Sequence, residues 1–183
     1  EALRCGQHDF GENYAQEMVQ KCEHEKSNQA VWHFIGPLQS NKTALVAQYA
    51  HWCHSIDRLK IARRLSEQRP PDQEPLQVCI EVNIDVEQSK AGVLPEDVEP
   101  LAKEIDQLPN IKLRGLMCIP VASDDPVIQR ASFSKLRHLQ ESLISLGYDL
   151  DTLSMGMSAD YREAIAEGAT IVRIGTAIFG ERH

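Results

Sequence analysis

Ser158, Arg173 and the pair Gly175-Thr176 are the residues best placed by type and spacing to do chemistry, and that chemistry is anion binding. They lie in the stretch Thr152 to Gly180, which contains two apolar runs, Leu153 to Gly156 and Ile171 to Ile174. Each run reads as a short strand, and each is followed by a turn of small residues. Small-residue turns leave backbone N–H groups free, and a helix start beside them adds its dipole, so two such turns make a ready anion site. Ser158 is expected to cap the helix between the strands. Asp160 and Glu163 fall in its first turns, and Gly168 is placed to end it as a C′ glycine. The competing reading is plain turn chemistry, because Gly and Ser punctuate many βα units.

Arg173 sharpens the anion reading. Side chains alternate along a strand, so Ile171, Arg173 and Gly175 share one face while Val172 and Ile174 share the other. The branched pair suits packing beneath helices, which turns Arg173 inward, where an unpaired charge is costly. Such a guanidinium needs an acceptor, either a carboxylate, for which Glu81 is a candidate, or a ligand atom.

These residues need a scaffold. The chain has 183 residues, 42% of them apolar, enough for one domain with a substantial core. No apolar run approaches membrane-spanning length. The formal net charge of −8 argues against a nucleic-acid surface. Basic residues cluster only at Arg58 to Arg69, which reads as the solvated face of a helix. Cys5, Cys22, Cys53, Cys79 and Cys118 are odd in number and widely spaced, as expected of free thiols in a reducing cytoplasm. His51 and His54 suggest a metal pair, but their odd separation puts them on opposite faces of a strand, so no metal site is expected.

In chain order, Glu1 to Gly6 reads as the last turn of a helix stopped by Gly6. Strands follow at His8 to Asn13, Val31 to Ile35, Trp52 to Ile56, Leu76 to Ile84, Ile111 to Ile119, Leu153 to Gly156 and Ile171 to Ile174. Helices between them run from Tyr14 to about Glu25, from a cap at Ser40 or Asn41 to about Tyr49, from Asp57 to about Gln68, from Pro95 to about Leu108, from Pro126 to Leu146, and from Ser158 to the residue before Gly168. Strict β/α alternation implies a parallel sheet with right-handed crossovers. Seven strands and the tail of a helix that must have followed another predict an α/β (β/α)8 TIM barrel whose first strand precedes residue 1. In such barrels the loops after the last two strands often hold a phosphate. A doubly wound open sheet is the alternative, though its usual Gly-rich first turn is missing.

Five segments in order carry a resemblance. They are Phe10-Gly11-Glu12-Asn13-Tyr14, the run Trp32 to Lys42 (WHFIGPLQSNK), Arg114-Gly115-Leu116-Met117, Leu153 to Ser158 (LSMGMS) and Arg173 to Gly180 (RIGTAIFG). Together they resemble the pyridoxal phosphate homeostasis protein family, the YggS/PROSC type, over the whole chain. The resemblance implies a single barrel domain, residues 1–183, like the N-terminal domain of alanine racemase. It implies pyridoxal 5′-phosphate (PLP) as cofactor, bound as a Schiff base to a lysine at the end of strand one. That strand and lysine are expected upstream of residue 1, in line with about 250 residues for a typical barrel. None of the eight lysines present, Lys21, Lys26, Lys42, Lys60, Lys90, Lys103, Lys112 and Lys135, lies at the carboxyl end of a strand pointing inward.

The resemblance also assigns roles. Ser158, with the backbone of Gly175 and Thr176, is expected to hold the phosphate, and Arg173 to face the pyridine nitrogen. Asn13, His33 and Met117 are expected to line the ring, against the alternatives of a strand-end cap, a satisfied core histidine and core packing. The implied function is vitamin B6 homeostasis in the cytoplasm: a monomer that holds and buffers PLP and delivers it to apo PLP-dependent enzymes. The alternative is an amino-acid racemase-like enzyme. Such relatives use a second, β-rich domain to supply an opposing Tyr, and here the sequence stops at His183, so half of a two-base site is expected to be missing.

Overall fold

The apolar runs separated by amphipathic ones fold as alternating strands and helices in a computed structural model that describes residues 2–24 and 29–180. The strands are β1 (Asp9–Glu12), β2 (Val31–Phe34), β3 (Trp52–Ile56), β4 (Leu76–Glu81), β5 (Ile111–Met117), β6 (Thr152–Met157) and β7 (Ile171–Arg173). The helices are α1 (Ala15–Cys22), α2 (Thr43–Tyr49), α3 (Leu59–Gln68), α4 (Val98–Ile105), α5 (Pro126–Ser145), α6 (Tyr161–Ala166) and α7 (Thr176–Phe179). The seven strands form one sheet whose spatial order follows the chain from β1 to β7. A doubly wound sheet reverses order at a switch point, whereas a barrel does not. The sequence order therefore excludes the doubly wound alternative.

Contacts cluster into two compact units. In the first, Glu1–Val78 with Pro100–Leu113, Met18 of α1, Val46 and Ala47 of α2 and Ile61 and Leu65 of α3 share a core with Phe34 and Cys53. Parallel pairing sets Gly11 beside His33 and His33 beside Trp52. In the second, Cys79–Glu99 with Arg114–His183, Phe133, Leu136 and Leu143 of α5 and Ala164 of α6 are buried with Leu116, Met117, Leu153 and Met155. There β5 pairs with β6 and β6 with β7, with a register shift between Ser154 and Met157 at Gly156, whose φ is 92°.

Helix stops follow the sequence, as does the start of α5 at Pro126, but several other starts do not. Gly168 (φ 93°) donates to the Ile165 carbonyl while Ala169 donates to Ala164, and Gly147 (φ 100°) ends α5 in the same way. The expected cap at Ser40 or Asn41 is absent. A turn intervenes, with Lys42 N–H on the Gln39 carbonyl, and α2 starts at Thr43. Likewise Ser158 does not cap α6: a further turn puts Asp160 at the cap position, and α6 starts at Tyr161. The helix expected from Asp57 begins at Leu59. The end expected near Glu25 for α1 lies outside the described residues, as does Glu1, and Ala2–Cys5 is a 3-10 turn.

The solvated basic face holds for Arg58 and Arg63 but fails for Arg69. Arg69 is 7% exposed and donates to the carbonyls of Ala47, Ala50 and Glu74 at 2.7–2.8 Å. It satisfies carbonyls left over at the carboxyl end of α2, where a cation also suits the dipole. Cys53 and Cys79 are buried free thiols in strands, Cys118 is buried just after β5, and Cys5 is exposed. No helix among the described residues is long and apolar enough to cross a membrane.

Candidate functional site

The second unit holds the charged group that the strand pattern pointed to. Arg173 ends β7, and the residue as a whole is half-buried. Nη1 donates to Ser154 Oγ at 2.7 Å, and Nη2 donates to the Cys118 carbonyl at 2.9 Å. Burial pulls its pKa below the ordinary value, while Cys118, Asp160, Cys79 and Glu81 push the other way. An arginine tolerates that shift and stays charged. A guanidinium carries five N–H donors. With two spent as above, three meet no acceptor among the described residues.

The two turns meet beside it. Ser158 Oγ accepts a hydrogen bond from the Ala177 N–H at 3.4 Å, which links the turn after β6 to the start of α7. The hydroxyl expected to cap α6 is therefore turned toward the next βα connection. The N–H groups of Gly175 and Thr176 have no acceptor among the described residues, and both residues are exposed. A Cβ built on Gly175 would meet nothing within 4 Å, so the backbone there borders open space. Ser158 also borders a cleft of about 400 Å³ lined by Asp124, Asp160 and Glu163. Those carboxylates repel an anion, so the favourable side is that of Gly175 and Thr176.

Met117 is wholly buried at the end of β5, and its carbonyl accepts from the Val82 N–H at 2.8 Å. Asn13 and His33 belong to the first unit. Asn13 follows β1, and its backbone packs so tightly on Gly36 that a Cβ there would lie 2.2 Å from the Asn13 carbonyl oxygen. His33 engages both ring nitrogens, Nε2 with Asp9 Oδ1 at 3.0 Å and Nδ1 with His54 Nε2 at 2.9 Å, and stacks on Trp52 at 5.5 Å. Both of its ring nitrogens thus have partners within the protein. His51 Nδ1 accepts from the Trp32 N–H at 3.0 Å.

Among the lysines, Lys21 pairs with Glu12 and Lys135 lies 3.5 Å from Asp85. Lys42 occupies the cap position of α2, and Lys90 sits in a loop with its N–H on the Glu87 carbonyl. Lys26 lies outside the described residues. Sequence reading missed Ser154 and the Cys118 carbonyl as the acceptors for Arg173. The available signal was a hydroxyl between Leu153 and Met155 in a strand buried on both faces, where an unpaired polar group is disfavoured.

With this geometry in view, similarity to known proteins becomes informative. The family described as "Alanine racemase, N-terminal domain" matches residues 1–183. The chain is 54% identical over 182 residues to the pyridoxal phosphate homeostasis protein of Pseudomonas aeruginosa, covering 100% of this chain and 78% of that one. The chain belongs to this family. The protein of the same name from Vibrio cholerae is 55% identical over 186 residues, covering 100% of this chain and 79% of its own length. Among solved structures, PipY of Synechococcus elongatus with PLP bound superposes with a TM-score of 0.88 at 34% identity, covering 98% of this chain and 84% of PipY. The fold of the pyridoxal phosphate homeostasis family is thus a TIM-barrel-like one of the alanine racemase N-terminal type, and its seven strands here alternate with helices as the sequence pattern required.

Proposed function

We propose that this chain binds PLP and serves vitamin B6 homeostasis, holding and buffering the cofactor rather than driving strong catalysis with it. The observation that carries the reading is the Arg173 guanidinium, with three uncommitted N–H donors, beside the free Gly175 and Thr176 amides and the Ser158 hydroxyl. The donor set suits the group. Ser158 Oγ and the Gly175 and Thr176 amides match a phosphate, which takes several N–H and O–H donors at once. Arg173 matches a neutral ring nitrogen, to which it can donate a hydrogen bond. The names of the relatives and the PLP-bound form of PipY support the same ligand.

When bound, PLP supplies a reactive aldehyde and an electron-accepting ring. The chain's residues decide how far that ring is used. An acidic residue at the ring nitrogen would keep it protonated and strengthen the electron sink. Arginine has no useful proton to hand over, so Arg173 leaves the nitrogen neutral and the sink weak. Ser158 and the adjoining amides would hold the phosphate and so retain the ligand without supplying an acid or base to the aldehyde. Met117 contributes apolar packing at the end of β5. Delivery to apo PLP-dependent enzymes by a cytoplasmic monomer completes the proposal, and free thiols at all five cysteines suit that compartment.

Equilibrium dialysis against PLP, read by absorbance, tests this in the full-length protein. The wild type is expected to retain PLP with a near-visible band, and Arg173→Glu to bind at least about tenfold more weakly or with a shifted band. Unchanged affinity and spectrum in the variant would remove Arg173 from the ring.

A further inference from the structure

Ser154 is a wholly buried polar residue to which the PLP reading gives no task. It sits in β6 between Leu153 and Met155, with relative exposures of 6% and 0%. A hydroxyl taken there without a partner is disfavoured. Its Oγ accepts from Arg173 Nη1 at 2.7 Å, while the Cys118 carbonyl accepts from Nη2 at 2.9 Å. These two acceptors are themselves tied, since the Cys118 N–H donates to the Ser154 carbonyl at 3.2 Å. The guanidinium is thus gripped through two of its N–H groups by β6 and by the residue that follows β5, which are hydrogen-bonded to each other.

The backbone is shaped for this grip. The register between β6 and β7 shifts between Ser154 and Met157, and Gly156 takes φ 92° there. Bulges of this kind re-aim side chains near functional sites. A Cβ at Gly156 would lie 2.5 Å from Ala164 Cβ, so the irregularity is tied to the packing of α6. Both acceptors are neutral. A carboxylate in place of Ser154 would neutralise the cation and fix it as an internal ion pair. A hydroxyl and a carbonyl fix its orientation while leaving its charge and remaining donors for a ligand. Asp160, one of the carboxylates that act on the guanidinium, has Oδ1 committed to the Met157 N–H at 2.6 Å.

Resting on the PLP reading above, we propose that Ser154 is a positioning residue which, with the Cys118 carbonyl, orients the Arg173 guanidinium so that its uncommitted N–H edge meets the ring nitrogen of bound PLP. Ser154 touches Arg173 and not the ligand, so it acts on ring recognition and leaves the phosphate grip alone.

The test compares wild type, Ser154→Ala and Ser154→Cys in the full-length protein, with PLP and inorganic phosphate as separate probes. The Cys variant keeps the volume but is a poor acceptor, so it supplies the reading if the Ala variant does not fold. The expected result is a loss of PLP affinity of about tenfold, the size of one hydrogen bond to a charged group. A shifted absorbance of bound PLP and an unchanged phosphate affinity should accompany it. In an Arg173→Lys background the Ser154→Ala change should add nothing. PLP affinity and spectrum equal to wild type would overturn the positioning role while leaving the PLP reading intact. Parallel loss of PLP and phosphate affinity would also overturn it, by making Ser154 merely structural. A wild type that takes up phosphate but no PLP would sink the PLP reading itself.

Discussion

At the scale of single residues, burial changes what a titratable group can do. Burial pulls the His33 pKa below its ordinary value, partly opposed by the hydrogen bond and charge of Asp9, while His51 adds to the depression. His51 is itself depressed by burial and by Arg69. For such a group the neutral form is the folded form. As pH falls through the unfolded histidine pKa of about 6.5, the unfolded chain takes up the proton first, so stability is full above that pH and declines below it. This window lies above the range in which carboxylates protonate. Urea midpoints measured between pH 7.5 and 5.5 should therefore fall for the wild type and fall less for His33→Gln, even if the variant starts lower. Parallel declines would show that His33 does not set the slope. The Asp9–His33–His54 chain was not legible beforehand, because its members come from three strands and only pairing brings them together.

At the scale of elements, close backbone approach explains a residue that the motif quoted without a reason. Gly115 in β5 lies opposite Thr152 in β6, and a Cβ there would come within 1.8 Å of the Thr152 carbonyl oxygen. Backbone cannot yield as a flexible side chain does, so Gly115→Ala must part the two strands. Overpacking of this kind costs about 1–3 kcal/mol, and the clash here is with main chain, so the upper end is expected. Gly175→Ala is the matching control for stability alone, since a Cβ there meets nothing within 4 Å. Chemical denaturation should show the first substitution strongly destabilised and the second close to wild type. Equal stabilities would mean that the strand pair relaxes without cost. Elements of this kind were readable where the signal is local: apolar runs gave the strands, and Gly147 and Gly168 gave the helix ends. Helix starts shifted by a few residues because Ser40 and Ser158 were taken for caps when each belongs to a further turn. The short α7 went unread, its four residues being too few to show a period.

At the scale of the molecule, strict alternation made the parallel sheet and its order legible, whereas the partners of Arg173 and Ser158 were not, since both are set by contacts distant in sequence. The proposed anion site would have to rely on local donors, because the chain as a whole carries a net charge of −8 and offers no general attraction. A ligand that binds only the folded state raises stability by RT ln(1 + [L]/Kd), about 2.7 kcal/mol at a hundredfold excess over Kd. PLP should therefore raise the unfolding temperature in a concentration-dependent way, and pyridoxal, which lacks the phosphate, should do so far less. Ser158→Asp places a carboxylate where the phosphate oxygens are to sit, and should abolish the difference between the two ligands by repelling only the phosphorylated one. Thermal shifts of both ligands on both proteins decide it. If Ser158→Asp still responds to PLP as the wild type does, the phosphate is held elsewhere than between the turns that follow β6 and β7.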